Sequence, residues 1–172
     1  RGYRTGSFRT HERALSRYYD ALDANLLGST IWNYTADNDD SRGDQWNDED
    51  LSIYSRDQGG ARALRGFCRP YAERTAGIPL LMSFDLRRRR FELRFVPDGA
   101  LHAPTVIYVP RAQYPDGYVV ELTGGERFRA EKDEAEQRLR IHLSGEGRPP
   151  EEARVVIRPP NAGVTRRPRP RA

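Results

Sequence analysis

The side chains best suited to chemistry are concentrated in one irregular stretch, residues 36–60, whose first half is rich in carboxylates. Carboxylates in a loop suggest calcium, and the common twelve-residue calcium loop needs glycine at position 6 and glutamate at position 12. Counted from Asp37, Gly43 falls at position 7 and Asp48 at position 12. The spacing therefore does not fit a calcium loop of this type.

The same stretch allows two other interpretations. Asp44, Trp46 and Asn47 combine a carboxylate, an aromatic ring and an amide, which together suit contact with a carbohydrate or a lipid head group. The alternative is a solvated loop held by local hydrogen bonds of Asp and Asn side chains. Long connections of this kind are uncommon in compact domains and are often functional, so both interpretations stay open.

Acid–base and metal chemistry have little support in the sequence. Glu49 and Asp50 are adjacent, and side chains of adjacent residues usually point apart. The three histidines lie far from one another without the spacing of zinc ligands. Cys68 is the only cysteine, so neither an internal disulfide nor a thiolate cluster can form. We therefore predict no metal and no cofactor.

Basic residues are the other notable group. The formal net charge is +4, and Arg166, Arg167, Arg169 and Arg171 account for all of it, which argues against a nucleic-acid partner. Four consecutive arginines at 87–90 suit contact with phosphate or an anionic lipid. A charged turn that discourages aggregation of strand edges is the more common explanation. No run of about 18 apolar residues occurs, so no segment is expected to span a membrane.

The first 76 residues alternate between helical and strand patterns. Apolar residues at helical spacing predict a helix from Thr10 to Gly28, with Thr10 as cap and Glu12 in the first turn. Residues 29–35 are β-branched and aromatic, which predicts a strand buried on both faces. A second helix is predicted over 61–76, with a kink at Pro70.

A strand buried on both faces needs parallel neighbours and covering helices. One such strand and one following helix cannot supply them. The pattern therefore suggests the last strand and last helix of a (β/α)₈ barrel whose remainder lies upstream.

After Gly77 and Pro79 the hydrophobic period changes from about 3.6 to 2, which indicates antiparallel strands. Seven short strands are expected, which favours a β-sandwich. They are predicted at 80–86, 91–96, 105–109, 118–122, 126–130, 137–143 and 153–158. Residues 161–172 are rich in Arg and Pro and are expected to be disordered.

The runs TIWNYTADNDDSRGDQWNDEDLSIYS (30–55) and FCRPYAERTAGIPL (67–80) resemble glycoside hydrolase family 5 enzymes of the endoglycoceramidase type. FDLRRRRFELRF and TVIYVPRAQYPDGYVVEL resemble the family's C-terminal β-sandwich. Asp48 stands where the family usually has a small residue. The resemblance implies three parts: the end of a TIM barrel at 1–78, an immunoglobulin-like β-sandwich at 79–160, and a tail at 161–172.

The resemblance also implies an activity, namely hydrolysis of a β-glycosidic bond between a sugar and a lipid aglycone, with retention. Such enzymes use two glutamates about 5 Å apart, and both are expected upstream, so this chain alone should be inactive. By resemblance, Trp32 is the platform beneath the sugar, a role that its spacing alone would not distinguish from a core residue. The other expected substrate contacts are Asn33, Tyr34, Asp37, Asn38, Asp44 and Trp46.

The expected partners are a glycolipid or another β-glycoside and the upstream barrel portion of the same protein. Peripheral contact with a membrane surface is also expected. The alternative function is a non-catalytic sandwich that binds carbohydrate or membrane.

Overall fold

The computed structural model describes residues 6–123, 127–145 and 147–160. It divides into two compact units, one ending at Arg69 and the other starting at Pro70. The predicted disordered tail, 161–172, lies outside the described residues. Among the residues described, no helix is long and apolar enough to cross a membrane.

The first unit contains one long helix, α1 (Arg9–Ala24). Glu12 lies in its first turn as predicted. Thr10 is not its cap, because the helix already begins at Arg9 and Phe8 precedes it without a side-chain cap. The helix also ends before Gly28: the turn closes when the backbone N–H groups of Asn25 and Leu27 donate to the Leu22 carbonyl.

The predicted buried strand at 29–35 is not a strand in the structure. The segment makes no β-ladder, and its aromatic side chains Trp32 and Tyr34 are largely exposed. A segment rich in β-branched and aromatic residues forms a strand only where neighbouring strands pair with its backbone N–H and C=O groups. No such neighbour is present among the described residues of this unit.

The predicted helix over 61–76 is also wrong. The unit instead has a two-residue hairpin, β1 (Tyr54–Ser55) with β2 (Gly60–Ala61), and a single helical turn, α2 (Leu64–Phe67). Gly66 lets this turn approach α1, since a Cβ there would lie 2.8 Å from the Cα of Glu12. The chain then becomes extended at Tyr71, because Pro70 has no backbone N–H to donate to a helical hydrogen bond.

The second unit is a β-sandwich of eight strands. They are β3 (Tyr71–Arg74), β4 (Gly77–Asp85), β5 (Arg90–Pro97), β6 (Thr105–Tyr108), β7 (Val119–Thr123), β8 (Phe128–Asp133), β9 (Arg138–Leu143) and β10 (Ala153–Arg158). All seven strands predicted from the sequence are present, and β3 is an addition. One sheet has the order β4-β5-β10-β7 and the other β3-β6-β9-β8, with every pairing antiparallel.

Alternation of buried and less buried residues along β5 and β9 supplies much of the core of the sandwich. On β5, Phe91, Leu93 and Phe95 are buried while the residues between them are not. They pack with inward residues of the facing sheet, including Ile107, to form one apolar cluster. Burial on one face and solvent on the other is what the alternating sequence predicts.

Candidate sugar-binding surface

Two exposed aromatic rings of the first unit, Trp32 and Trp46, lie next to each other. Their side chains are 64% and 54% exposed, although tryptophan is usually well buried. The ring centroids are 5.9 Å apart and the planes make an angle of 66°, so one ring meets the other edge to face. The peptide bond between Trp32 and Asn33 is cis. Each ring leaves apolar surface open to solvent, and a flat aromatic face of this kind can stack against a sugar ring.

Asn33 and Asp44 lie behind this aromatic pair and fix its backbone. The Asn33 amide donates to the Asp44 carboxylate at 2.8 Å, and its amide oxygen accepts a hydrogen bond from the Thr35 hydroxyl. The other oxygen of Asp44 accepts from the backbone N–H of Trp46 at 3.1 Å. One carboxylate thus connects the segment that carries Trp32 to the loop that carries Trp46.

Asp44 was predicted as a substrate contact, but the structure places it beneath the surface, with 7% of the residue exposed. Its carboxylate also accepts a hydrogen bond from the Leu51 N–H. Burial favours a raised pKa, but the bonds from Leu51, Asn33 and Trp46 outweigh it and lower the pKa of Asp44. The group is therefore an ionised acceptor that holds the loop.

A second buried network holds the rest of the long loop. Arg62 donates to both oxygens of Asp50, at 2.6 and 2.7 Å, and to the Ser52 carbonyl. The fully buried Asn38 donates its amide to the same Asp50 carboxylate. The Arg62 hydrogen bonds lower the pKa of Asp50 despite its partial burial.

Sequence reasoning missed this network. Asn38 was predicted to bind substrate, yet its side chain is buried and serves the loop. Arg62 was placed on a helix that does not form. Neither pairing has a local signal, because the partners are a dozen residues apart and meet only once the loop folds.

Besides the two tryptophans, Tyr34 and Asp37 are predicted contacts that reach solvent. Tyr34 is 64% exposed and its ring packs 5.7 Å from that of Tyr54. Asp37 is also exposed and accepts a hydrogen bond from the Gln45 side chain at 3.2 Å. Both remain free enough to meet a ligand.

Asp39 and Asp40, two further carboxylates of the loop, are engaged by arginine and amide side chains. Asp39, for example, is held by Arg42 and Ser41, whose hydrogen bonds keep its pKa far below the ordinary range. The residues that the structure describes contain no grouping of three or more His, Cys, Asp or Glu side chains arranged to hold a metal.

The sandwich unit identifies the family to which the chain belongs. Residues 69–157 match the model of the glycoside hydrolase family 5 C-terminal domain, and the chain belongs to that family.

The curated relatives that this chain matches are named as glucosylceramidases and an endoglycoceramidase. A glucosylceramidase of Rhizopus delemar is 32% identical over 63% of this chain and 19% of its own length. The endoglycoceramidase I of Rhodococcus hoagii is 44% identical over 36% of this chain and 12% of its own length. The chain thus spans about a fifth or less of these relatives.

The chain also resembles two solved structures of glycosidases over most of its length. Sterylglucosidase 1 of Cryptococcus neoformans superposes with a TM-score of 0.78 and 27% identity, covering 91% of this chain and 25% of that one. Endo-glycoceramidase II from Rhodococcus sp. has a TM-score of 0.62 at 21% identity, covering 86% of this chain and 29% of that one, which shows a shared fold.

Proposed function

We propose that this chain is the C-terminal portion of a retaining glycoside hydrolase that cleaves the β-glycosidic bond between a sugar and a lipid aglycone. The aglycone is ceramide or a sterol. Family membership supports a glycosidase, and the names of the relatives support a glycolipid substrate. Since such lipids reside in bilayers, peripheral contact with a membrane surface is part of the same proposal.

The first unit is, in this proposal, the end of the catalytic (β/α)₈ barrel. The likeness to the sterylglucosidase covers 91% of the chain and so extends well beyond the family match at 69–157. Residues 29–35 have the composition of a buried strand but no strand partner in the described part of the unit. The preceding barrel strand would supply the missing ladder and place Trp32 at the rim where barrel active sites lie.

The exposed face of Trp32 is the observation that carries this proposal. A large apolar ring held open to solvent needs a ligand or partner to cover it, and a pyranose ring has a flat apolar face of matching size. Trp46 supports the ring from its edge, and the Asn33–Asp44 bond fixes the angle between the two segments.

The bond-breaking groups belong to the upstream part of the barrel in this proposal. Retention requires a nucleophile and an acid/base carboxylate about 5 Å apart. Of the acidic groups in the first unit, Asp44 and Asp50 are occupied in holding the loop, and Glu12 lies in the first turn of α1. The role of this chain is to bind and orient the sugar.

The test is Trp32→Ala in the longer parent protein that carries the barrel portion. We expect kcat/KM on glucosylceramide or steryl glucoside to fall by at least about tenfold, equivalent to about 1.4 kcal/mol of transition-state binding. Tyr18→Ala, which removes a similarly exposed aromatic from α1, is the matched control and should leave activity unchanged. Equal activity of the two variants would refute the assignment.

A further inference from the structure

An arginine-lined cavity opens at one end of the sandwich. Its volume is about 470 Å³, and its walls come from the β4–β5 turn, the loop before β7 and the segment after β10. The strand register brings these three segments together at one end of the sheet. Near the end of β10, Ile157 pairs with Phe91 of β5, and Arg158 pairs with Val119 of β7. Five arginines line it: Arg87, Arg88, Arg89, Arg90 and Arg158. This volume is within the range of small-molecule sites.

Three of these arginines are already paired with carboxylates. Arg88 meets Asp85 at 2.7 Å, Arg90 meets Glu92 at 2.7 Å, and Arg158 meets Glu121 at 2.6 Å. Each ion pair holds its arginine side chain in place in the cavity wall, and the carboxylate neutralises the charge of that arginine.

The other two, Arg87 and Arg89, have no carboxylate within ion-pair distance among the described residues. Arg89 is half-buried and donates only to the Gln113 carbonyl, at 3.3 Å. Asp116 also lines the cavity and is the one carboxylate in its wall. The two guanidinium groups outnumber it, which leaves an unneutralised positive charge beside the cavity.

A buried hydroxyl gives a second, independent sign of a ligand. Tyr114 lines the same cavity with 3% of the residue exposed, and its hydroxyl has no hydrogen-bond partner among the described residues. Burial raises the pKa of Tyr114, so the hydroxyl keeps its proton and remains a donor. Buried polar groups are almost always paired, so this unpaired hydroxyl, on a residue of the cavity wall, is available to donate to an acceptor bound there once the wall adjusts to expose it.

We propose that this cavity binds a phosphate group, with Arg87 and Arg89 supplying the guanidinium donors and Tyr114 the hydroxyl donor. Arginine is the side chain best matched to phosphate, because its planar donors reach two oxygens at once. The phosphate comes either from a soluble phosphoester or from a phospholipid head group. The site is formed by residues of the second unit alone, and its existence does not depend on the glycosidase proposal.

The test is calorimetric titration of the 172-residue chain with inorganic phosphate at low ionic strength. We expect saturable binding that weakens by at least about tenfold in the double variant Arg87→Gln/Arg89→Gln. The control is Arg94→Gln/Arg129→Gln, which removes the same charge at residues that do not line the cavity, and it should bind as the wild type does. Absence of binding to the wild type, or equal losses in the two double variants, would overturn the site.

Tyr114→Phe separates a ligand contact from a structural role. It keeps the ring and removes only the unpaired hydroxyl, so the thermal midpoint should be unchanged or slightly higher while phosphate affinity falls. Unchanged affinity in a folded variant would remove Tyr114 from the site and contradict the proposal as stated.

Two further titrations identify the source of the phosphate. Glycerol 3-phosphate represents a soluble ester, and vesicles of phosphatidylcholine with a minor share of phosphatidylglycerol represent a membrane. Vesicle binding that is lost in the Arg87/Arg89 variant assigns the site to a head group, and binding of the soluble ester alone assigns it to a free ligand. Vesicle binding that survives the variant is unrelated to the cavity and contradicts a head-group site.

Discussion

The two units of this chain are stabilised by different means. In the sandwich, every strand of both sheets finds its hydrogen-bonding partner within the unit, and an apolar cluster fills the space between the sheets. In the first unit, the strongest strand composition, at 29–35, has no partner strand among the described residues, and charged and amide side chains hold the loop instead. A hydrophobic sequence pattern therefore predicts a strand reliably only where the same unit also contains the strands that pair with it and the side chains that cover it.

The comparison also separates stability from function. The central cluster of the sandwich is built from apolar side chains packed on one another, whereas the largest aromatic rings of the first unit are left open. Removing a core ring should unfold its unit, whereas removing an exposed ring should affect only binding. The following variants test this contrast, from the largest expected effect to the smallest.

Phe91→Ala should produce the largest change. The ring is fully buried at the centre of the sandwich, so its loss creates a cavity and lowers the free energy of unfolding by about 3–5 kcal/mol. Urea unfolding followed by circular dichroism in the β-sheet band measures this change. Val96→Ala, on the same strand but facing outward, is the control and should cost under about 1 kcal/mol. Equal losses would mean that the alternation does not define the core.

Arg62→Met should destabilise the loop of the first unit and leave the sandwich unaffected. It leaves the Asp50 carboxylate without its bidentate partner in a mostly buried site, at a cost of about 3 kcal/mol. The amide of Ile53, which donates to the Asn33 carbonyl, should then exchange with solvent about a hundredfold faster. Arg42→Met removes an exposed arginine that pairs with Asp39 and should leave this exchange unchanged. An unchanged rate in Arg62→Met would show that the loop is held by other contacts.

Acid should weaken the sandwich through Glu92. Hydrogen bonds from Arg154 and Arg90 lower its pKa from 4.5 to about 2. Because the folded pKa lies below the ordinary value, the ionised carboxylate stabilises the fold fully above pH 4.5, and this contribution disappears as the pH falls toward about 2. Glu92→Gln should flatten the dependence of the urea midpoint on pH over this window. Glu121→Gln, whose carboxylate is more than half exposed, should keep the wild-type slope.

Trp32→Ala should have the smallest effect on stability. The ring is mostly exposed, so the free energy of unfolding of the first unit should change by no more than about 0.5 kcal/mol. Tryptophan fluorescence measures it, since Trp46 remains as a reporter in the same unit. A loss comparable to that of Phe91→Ala would mean that Trp32 is a core residue.

The sandwich could be predicted almost completely from the sequence. FELRFV and RLRIHL alternate residue by residue, and turn residues separate the strands, so local pattern and final burial agree. β3 was missed because its four residues carry no alternation and lie in a stretch with a helical pattern.

The candidate site was predictable only in part. The resemblance pointed to Trp32 and the residue types of the loop pointed to Trp46, and the structure brings the two rings together at the surface. Neither line of reasoning gave the contacts beneath them. Neither could show that Asn38 and Asp44 are buried, or that Arg62 holds Asp50, because these depend on contacts between residues distant along the chain. The same is true of the cavity, whose walls come from three separate segments.

The most direct test compares the longer parent protein with the 172-residue chain in one assay, hydrolysis of glucosylceramide or steryl glucoside followed by proton NMR of the released sugar. We predict that the parent releases the β-anomer first, as retention requires, and that the chain alone releases no sugar, since our proposal assigns the bond-breaking carboxylates to the upstream part of the barrel. Sugar release by the repurified chain, or a parent without glycosidase activity, would contradict the account.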